Sequence, residues 1–180
     1  MGLSAQIYKM MLDQYHMELT NQYRYSAMAG WARYRGYEAA AHWFNSEAHS
    51  EGKHAKFVRK LIEDRGMEFN PMPVNVVESV NYQTYSELFR KALQVEQDTT
   101  ASINAIYGQA LRENDYLVCQ SLKPIFDIQY DEEKEYLTIV DKIISRGGDP
   151  NGSTDKAFTV FDTDPCAIHD FEIWLDKHYN

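Results

Sequence analysis

The chain has few cysteines, fewer basic than acidic side chains, and no long apolar run. Cys119 and Cys166 are the only cysteines in 180 residues. Two widely separated cysteines do not form a disulfide framework, so we expect a reducing, cytoplasmic location. The formal net charge of −9 disfavours a nucleic-acid binder, which needs a basic surface. Since no apolar run of about 18 residues occurs, we expect no transmembrane span, and residues 1–20 show no signal peptide.

A strand-like alternation of apolar and polar residues is also missing. The apolar residues recur instead at helical spacing. This spacing predicts four long helices, at about 4–35, 37–65, 84–114 and 115–146. The segment Thr84-Tyr-Ser-Glu87 has the pattern of a capping box at the start of the third helix. Pro124 should kink the fourth helix or break one of its backbone hydrogen bonds, because proline has no N–H to donate.

The connection between the second and third helices is unusually long. Residues 67–83 contain Pro71 and Pro73 and are too irregular for a helix, so we expect a crossover along the side of a bundle. Residues 167–178 predict a short fifth helix. The sequence therefore predicts a single all-α domain, with a four-helix bundle at about 4–146 and a C-terminal extension at about 147–180.

Ligand-type residues recur with matching spacing in the two halves of the bundle. The interval from Glu18 to Glu51 equals the interval from Glu96 to Gln129, and a second ligand-type residue follows three positions later in each half, at 54 and 132. Residues three apart on a helix share a face. Single carboxylates from two helices and paired ligands from the other two are the layout of a metal site inside a four-helix bundle. Carboxylates with one imidazole favour iron or manganese over structural zinc.

The segments around these residues resemble the non-haem ferritin family. The likeness covers about residues 5–146 and is carried by Tyr15–Tyr25, Ser46–His54, Ala92–Thr99 and Ile128–Lys134. It implies a ferritin-like bundle and a ferroxidase, in which paired Fe²⁺ ions are oxidised by O₂ or H₂O₂. It also implies that ferric mineral is stored inside a hollow homo-oligomeric shell of 24 chains.

The resemblance further implies two iron positions. Glu18, Glu51 and His54 would hold one iron. Glu51 would bridge to the second iron, which Glu96 and Glu132 would also bind.

Two other residues complete the implied site. Gln129 would lie behind the ligands or be a weak ligand near the side of the site that binds oxygen. Tyr25 would form a hydrogen bond near the site and could supply an electron. Bacterioferritins place a haem-ligating methionine directly after the bridging glutamate, where this chain has Gly52, so we expect no haem.

The chain departs from bacterial ferritins at a third iron position. That position often uses glutamates where this chain has Ser50 and Ile128. Neither side chain supplies a carboxylate. We therefore expect the third site to be absent or rebuilt. The residues that could rebuild it are Glu47, Asp127 and Asp131, and the favoured alternative is that these three are solvated helix residues.

Two other classes of function stay open at the level of sequence. One is a diiron oxidase or peroxidase of the rubrerythrin kind, which normally carries a Glu-x-x-His pair in both halves and often a four-cysteine tail. This chain has one such pair, Glu51 and His54, and two cysteines. The other is a helical scaffold that keeps a non-functional site and acts through assembly.

Overall fold

The computed structural model describes residues 2–73, 81–147 and 160–179. These residues contain no strand. They form seven helices: α1 Ala5–Tyr34, α2 Glu38–Asp64, α3 Tyr85–Arg112, α4 Tyr116–Ser121, α5 Lys123–Ile144, α6 Val160–Thr163 and α7 Pro165–Tyr179. The predicted all-α class is confirmed.

The first two helices lie within a residue or two of their predicted bounds. The Ser4 hydroxyl accepts a hydrogen bond from the Ile7 N–H at 3.1 Å, which satisfies one of the free donors at the start of α1. Gly36 ends the first helix with φ of +79°, and Gly66 follows the second with φ of +70°. Glycine suits these turns because it has no Cβ to clash in the left-handed region.

The third helix begins with a variant of the predicted capping box. Thr84 Oγ1 accepts a hydrogen bond from the Glu87 N–H at 3.1 Å. The Glu87 carboxylate accepts a hydrogen bond from the Gln83 N–H at 2.8 Å. In a standard capping box the donor would be the N–H of the N-cap residue, which here is Thr84.

The predicted fourth helix is divided into two helices close to Pro124, where a kink or a broken hydrogen bond within one helix was expected. α4 ends at Ser121, and α5 begins at Lys123 with Pro124 in its first turn, where a missing N–H leaves no bond unmade. The Asp115 carboxylate accepts from the Val118 N–H at 3.1 Å. It also receives two hydrogen bonds from Arg65, at 2.9 and 2.6 Å, which tie the end of α2 to the start of α4.

The C-terminal helix is longer than predicted. It begins at Pro165 rather than at residue 167, since proline suits the first turn of a helix. The four-residue α6 precedes it and was not predicted. For the expected crossover at 67–83, residues 67–73 and 81–83 are non-helical, while residues 74–80 lie outside the described residues, as do residues 148–159 of the extension.

The bundle core has two apolar clusters. α1 packs against α2 and α3, and α3 packs against α5. One cluster includes Tyr25, Phe44 and Phe89, and the other includes Met11 and Ile62. Along α1, Met11 and Tyr25 lie on either side of Glu18. A layer of buried polar side chains thus separates the clusters; its members are Gln14, Glu18, Asn21, Glu51, His54, Glu96, Thr99 and Gln129.

No helix in the described segments is both long enough and apolar enough to cross a bilayer.

Two carboxylates fasten the C-terminal segment to the bundle. Glu172 of α7 accepts hydrogen bonds from the N–H groups of Ala39 and Ala40, at 2.8 and 3.2 Å, and from the Tyr85 hydroxyl. Asp162 of α6 accepts from the Ser86 N–H at 2.9 Å. A carboxylate is favoured at a helix N-terminus because free N–H groups and the helix dipole meet there. The segment therefore caps the starts of α2 and α3.

We expect Glu172→Ala to destabilise the fold. It leaves the Tyr85 hydroxyl and two N–H groups without their acceptor, at a cost of about 1–3 kcal/mol in the free energy of unfolding. Chemical denaturation of the variant checks this. Glu38→Ala is the control, because Glu38 is the first residue of α2, which Glu172 caps, and its side chain is 72% exposed. Equal losses of unfolding free energy in the two variants would contradict the capping role.

Candidate metal centre

Three ligand-type side chains from α1 and α2 converge in the polar layer. Glu18, Glu51 and His54 are all buried, and each offers a ligand atom within 4.8 Å of the other two. His54 Nδ1 lies 3.3 Å from Glu51 Oε2 and 3.9 Å from Glu18 Oε2. The i, i+3 spacing on α2 places Glu51 and His54 on one face, opposite α1.

The Glu18 carboxylate is held by one oxygen and open at the other. Gln14, one turn earlier on α1, donates a hydrogen bond from Nε2 to Glu18 Oε1 at 2.7 Å. No N–H or O–H group in the described segments donates to Glu18 Oε2, and this is the oxygen that faces His54. A buried carboxylate oxygen without a donor is costly, and a cation at this position would offset that cost.

The Glu96 carboxylate of α3 is held at both oxygens. The Tyr25 hydroxyl donates to Oε1, and Gln129 Nε2 donates to Oε2 at 2.7 Å. Both donors are buried, as is Glu96 itself. Tyr25 and Gln129 therefore fix the orientation of this carboxylate.

The Glu132 carboxylate of α5 approaches the far side of the imidazole. Its Oε1 lies 3.4 Å from His54 Nε2, and the residue is half-buried. The His54 ring thus lies between Glu51 on one side and Glu132 on the other. Five of the seven residues named from sequence lie in the buried polar layer, with Glu18, Glu51 and His54 as its tightest group. The other two border the layer: Tyr25 contacts Glu96, and Glu132 contacts His54.

Burial and crowding of acids shift the proton affinities of the site. Burial raises the pKa of Glu96 to about 7. Burial, followed by repulsion from Glu96, raises the pKa of Glu132 to about 9. Burial and the adjacent Glu18 carboxylate raise the pKa of Glu51 well above its ordinary value. Burial lowers the pKa of His54, which favours a neutral imidazole with a free lone pair, the form that binds metals.

The residues named for a rebuilt third site do not gather into a metal-binding group in the described part of the chain. Asp127 and Asp131 are exposed. Glu47 is half-buried and accepts a hydrogen bond from the Tyr136 hydroxyl at 3.2 Å. Burial, followed by repulsion from Glu96, raises the pKa of Glu47 to about 8. The absence of the usual third site stays a prediction.

Sequence reasoning missed two residues around the candidate ligands. Gln14, one turn before Glu18, donates a hydrogen bond to it, and Tyr136, one turn after Glu132, stacks with Tyr25. A search for polar residues four positions from each candidate ligand would have found both, because such residues share a helix face.

Comparison with known proteins is consistent with this geometry. A family model described as a ferritin-like domain matches residues 8–144. The chain belongs to the ferritin family. It is 28% identical over 165 residues to a bacterial non-heme ferritin of Escherichia coli, covering 89% of this chain and 98% of that protein. It is 29% identical over 151 residues to a bacterial non-heme ferritin of Staphylococcus haemolyticus, covering 83% of this chain and 89% of that protein.

Solved structures share the fold of this ferritin-family chain. An open pore ferritin from the archaeon Archaeoglobus fulgidus superimposes with a TM-score of 0.83, covering 97% of this chain and 96% of that one. A closed form engineered from the same ferritin gives 0.82, with 97% of each chain covered. Because the sequence identity is 19%, this likeness concerns the fold alone.

The predicted resemblance to non-haem ferritins and the predicted bundle are confirmed by these findings. Family membership and the buried Glu18–Glu51–His54 cluster support iron storage and iron oxidation at the level of the family.

We expect the metal-free protein to lose stability as pH rises. Glu96, Glu47 and Glu132 have pKa values raised from 4.5 to about 7, 8 and 9, so the folded state binds more protons than the unfolded state. The free energy of unfolding then falls from about pH 5 to about pH 9. Thermal unfolding at a series of pH values, with a chelator present, measures how steeply stability falls with pH. Glu132→Gln should flatten it and the exposed Asp131→Asn should not; an unchanged slope in Glu132→Gln would contradict the assignment.

Proposed function

We propose that this protein stores iron and is a ferroxidase. It oxidises Fe²⁺ to Fe³⁺ at a dinuclear centre with O₂ or H₂O₂ and deposits ferric mineral in the cavity of a homo-oligomeric shell. The observation that carries this proposal is the buried Glu18–Glu51–His54 group, whose Glu18 Oε2 has no described donor. Cations are the partners that such a group lacks.

One Fe²⁺ would bind Glu18, Glu51 and His54. The Glu51 carboxylate would bridge to a second Fe²⁺, which Glu96 and Glu132 would also bind. Four of these five residues are less than a tenth exposed, which supports a site that excludes bulk water. The five ligand residues come from α1, α2, α3 and α5, as in the di-iron sites of four-helix bundles.

The donor set favours the oxidised metal. Hard carboxylate oxygens stabilise Fe³⁺ more than Fe²⁺ and so drive electron loss. Two irons that share Glu51 would each give one electron to the same oxygen molecule. Gln129 would position Glu96 through its 2.7 Å hydrogen bond, and Tyr25 would form its hydrogen bond with Glu96 and act as an electron donor beside the centre.

The same proposal covers the remaining features of the chain. Gly52 offers no ligand where a haem-binding methionine would be needed, so the protein works without haem. The chain forms one domain, acts in the cytoplasm and assembles as a shell of 24 copies. The match to a bacterial non-heme ferritin over 89% of this chain supports this assignment.

We expect a titration with Fe²⁺ in air to show a fast phase that saturates near two irons per chain, followed by slow loading of soluble iron. In Glu51→Gln and His54→Ala the fast phase should slow by at least about 10–100-fold, the range seen even when a partner behind a metal ligand is lost. Stopped-flow absorbance of ferric iron measures both phases.

Asp131→Asn is the control for this titration, because Asp131 is an exposed acid on the helix that carries Glu132. It should oxidise iron at the wild-type rate. A fast phase that survives intact in both Glu51→Gln and His54→Ala would overturn the assigned centre. A fast phase without later loading would indicate an oxidase that does not store iron.

We expect the purified protein to form a large closed assembly. Light scattering should give a mass near twenty-four times the chain mass of 21.0 kDa. A mass of one or two chains would contradict storage in a shell. The dinuclear centre would still be tested separately by the Fe²⁺ titration.

A further inference from the structure

A chain of oxidisable aromatic rings leads away from the carboxylate layer. The Tyr25 ring, whose hydroxyl binds Glu96, is stacked with Tyr136, and the ring centroids are 6.0 Å apart. Tyr136 contacts Trp43 at 5.8 Å, and Trp43 contacts Tyr179 at 4.8 Å. The first three rings are buried, whereas Tyr179 near the end of α7 is half-buried. The four rings therefore connect the site with the surface of the chain.

The hydroxyl of each buried tyrosine donates a hydrogen bond to a carboxylate. Tyr25 donates to Glu96, and Tyr136 donates to Glu47 at 3.2 Å. A phenol that loses an electron becomes a strong acid, so its oxidation is practicable only where a proton acceptor is already hydrogen-bonded. An indole loses an electron without an immediate proton transfer. The buried Tyr25, Tyr136 and Trp43 rings thus meet these requirements for stepwise electron transfer, and the half-buried Tyr179 ring continues the chain to the surface.

A second aromatic route from Tyr25 lacks this property. Phe44 and Phe89 lie between Tyr25 and the buried Tyr85, with ring centroids 6.0, 5.0 and 5.3 Å apart along the route. Phenylalanine has no phenol and is far harder to oxidise than tyrosine or tryptophan. Tyr85 is otherwise comparable with Tyr136, since its hydroxyl also donates to a carboxylate, that of Glu172. The bundle therefore contains one route of oxidisable rings and one closely matched route that is blocked.

We propose that Tyr179, Trp43, Tyr136 and Tyr25 form an electron relay between the surface of the chain and the metal centre, with Glu47 as the proton acceptor for Tyr136. The relay deepens the proposed function and rests on it for its physiological role. It assigns Tyr136, Trp43 and Glu47 to electron delivery rather than to iron binding.

The relay balances the reduction of oxygen. Conversion of one O₂ to two waters takes four electrons and four protons. Two Fe²⁺ ions at the centre supply two electrons, and the other two arrive singly through the rings from Fe²⁺ in solution at Tyr179, each iron becoming Fe³⁺. The protons come from the solvent. When Tyr136 loses an electron, its phenol proton passes to the ionised form of Glu47, which predominates above its pKa of about 8. The proton returns when Trp43 refills the ring.

A light-driven measurement on the iron-free protein tests the path itself. A ruthenium photosensitiser is attached to the single exposed thiol of a Cys166→Ser, Asp176→Cys variant, one turn from Tyr179, and is oxidised by a flash. A tyrosyl radical that disappears in Tyr25→Phe should form in transient absorption. Its yield should fall by about tenfold or more in Trp43→Phe and in Tyr136→Phe, because an unoxidisable ring raises the barrier to transfer. The radical yield in Tyr85→Phe should equal that in the parent variant.

Iron then tests the role of the path. After two Fe²⁺ per chain react with O₂, freeze-quenched electron paramagnetic resonance should show a tyrosyl radical that further Fe²⁺ removes. Removal should be about tenfold or more slower in Tyr136→Phe, while the first oxidation of iron and the behaviour of Tyr85→Phe stay as in the wild type.

The outcomes separate the relay from the proposed function. Equal radical yields in Trp43→Phe, Tyr136→Phe and Tyr85→Phe after the flash would overturn the relay, as would the absence of any Tyr25-dependent radical. Absence of fast iron oxidation in the wild type would overturn the ferroxidase, and the flash experiment would still decide the path.

Discussion

The burial of several carboxylates in the middle of an apolar bundle is the constraint on which the rest of this structure depends. Glu18, Glu51 and Glu96 are each at most 3% exposed, between apolar clusters that fill the two ends of the core. Ionised carboxylates in such a place are strongly unfavourable unless they are paired or protonated. The raised pKa values of Glu51 and Glu96 show that the chain alone offsets this cost only in part.

The layer is asymmetric despite the matched spacing of its two halves. Glu96 has both oxygens occupied by the donors Tyr25 and Gln129, whereas Glu18 has one oxygen bound to Gln14 and one without a described donor. One carboxylate is thus oriented before any ion arrives, and the other keeps an open position. That division suits a centre that binds iron as a substrate, because a cage with every donor fixed would retain the product.

Carboxylates do different work at the end of the bundle. Glu172 and Asp162 face free backbone N–H groups at the starts of α2 and α3, where a negative charge is stabilised rather than penalised. Glu47 shows a third use, as the acceptor for a buried tyrosine. The same functional group therefore serves as ligand candidate, helix cap or proton acceptor according to the donors around it.

The sequence by itself determined the helical class, most helix bounds, the disruption at Pro124 and the candidates for the site, since glycines, caps, apolar spacing and i, i+3 pairs are local signals. Only the tertiary structure decided which side chains these residues contact. Gln14 was missed because a glutamine on a helix becomes a candidate only when polar residues one turn from Glu18 are searched for. The neighbours of Tyr136, the approach of Glu132 to His54 and the docking of Glu172 depend on how helices distant in sequence are rotated against one another, and residue order alone does not specify that rotation.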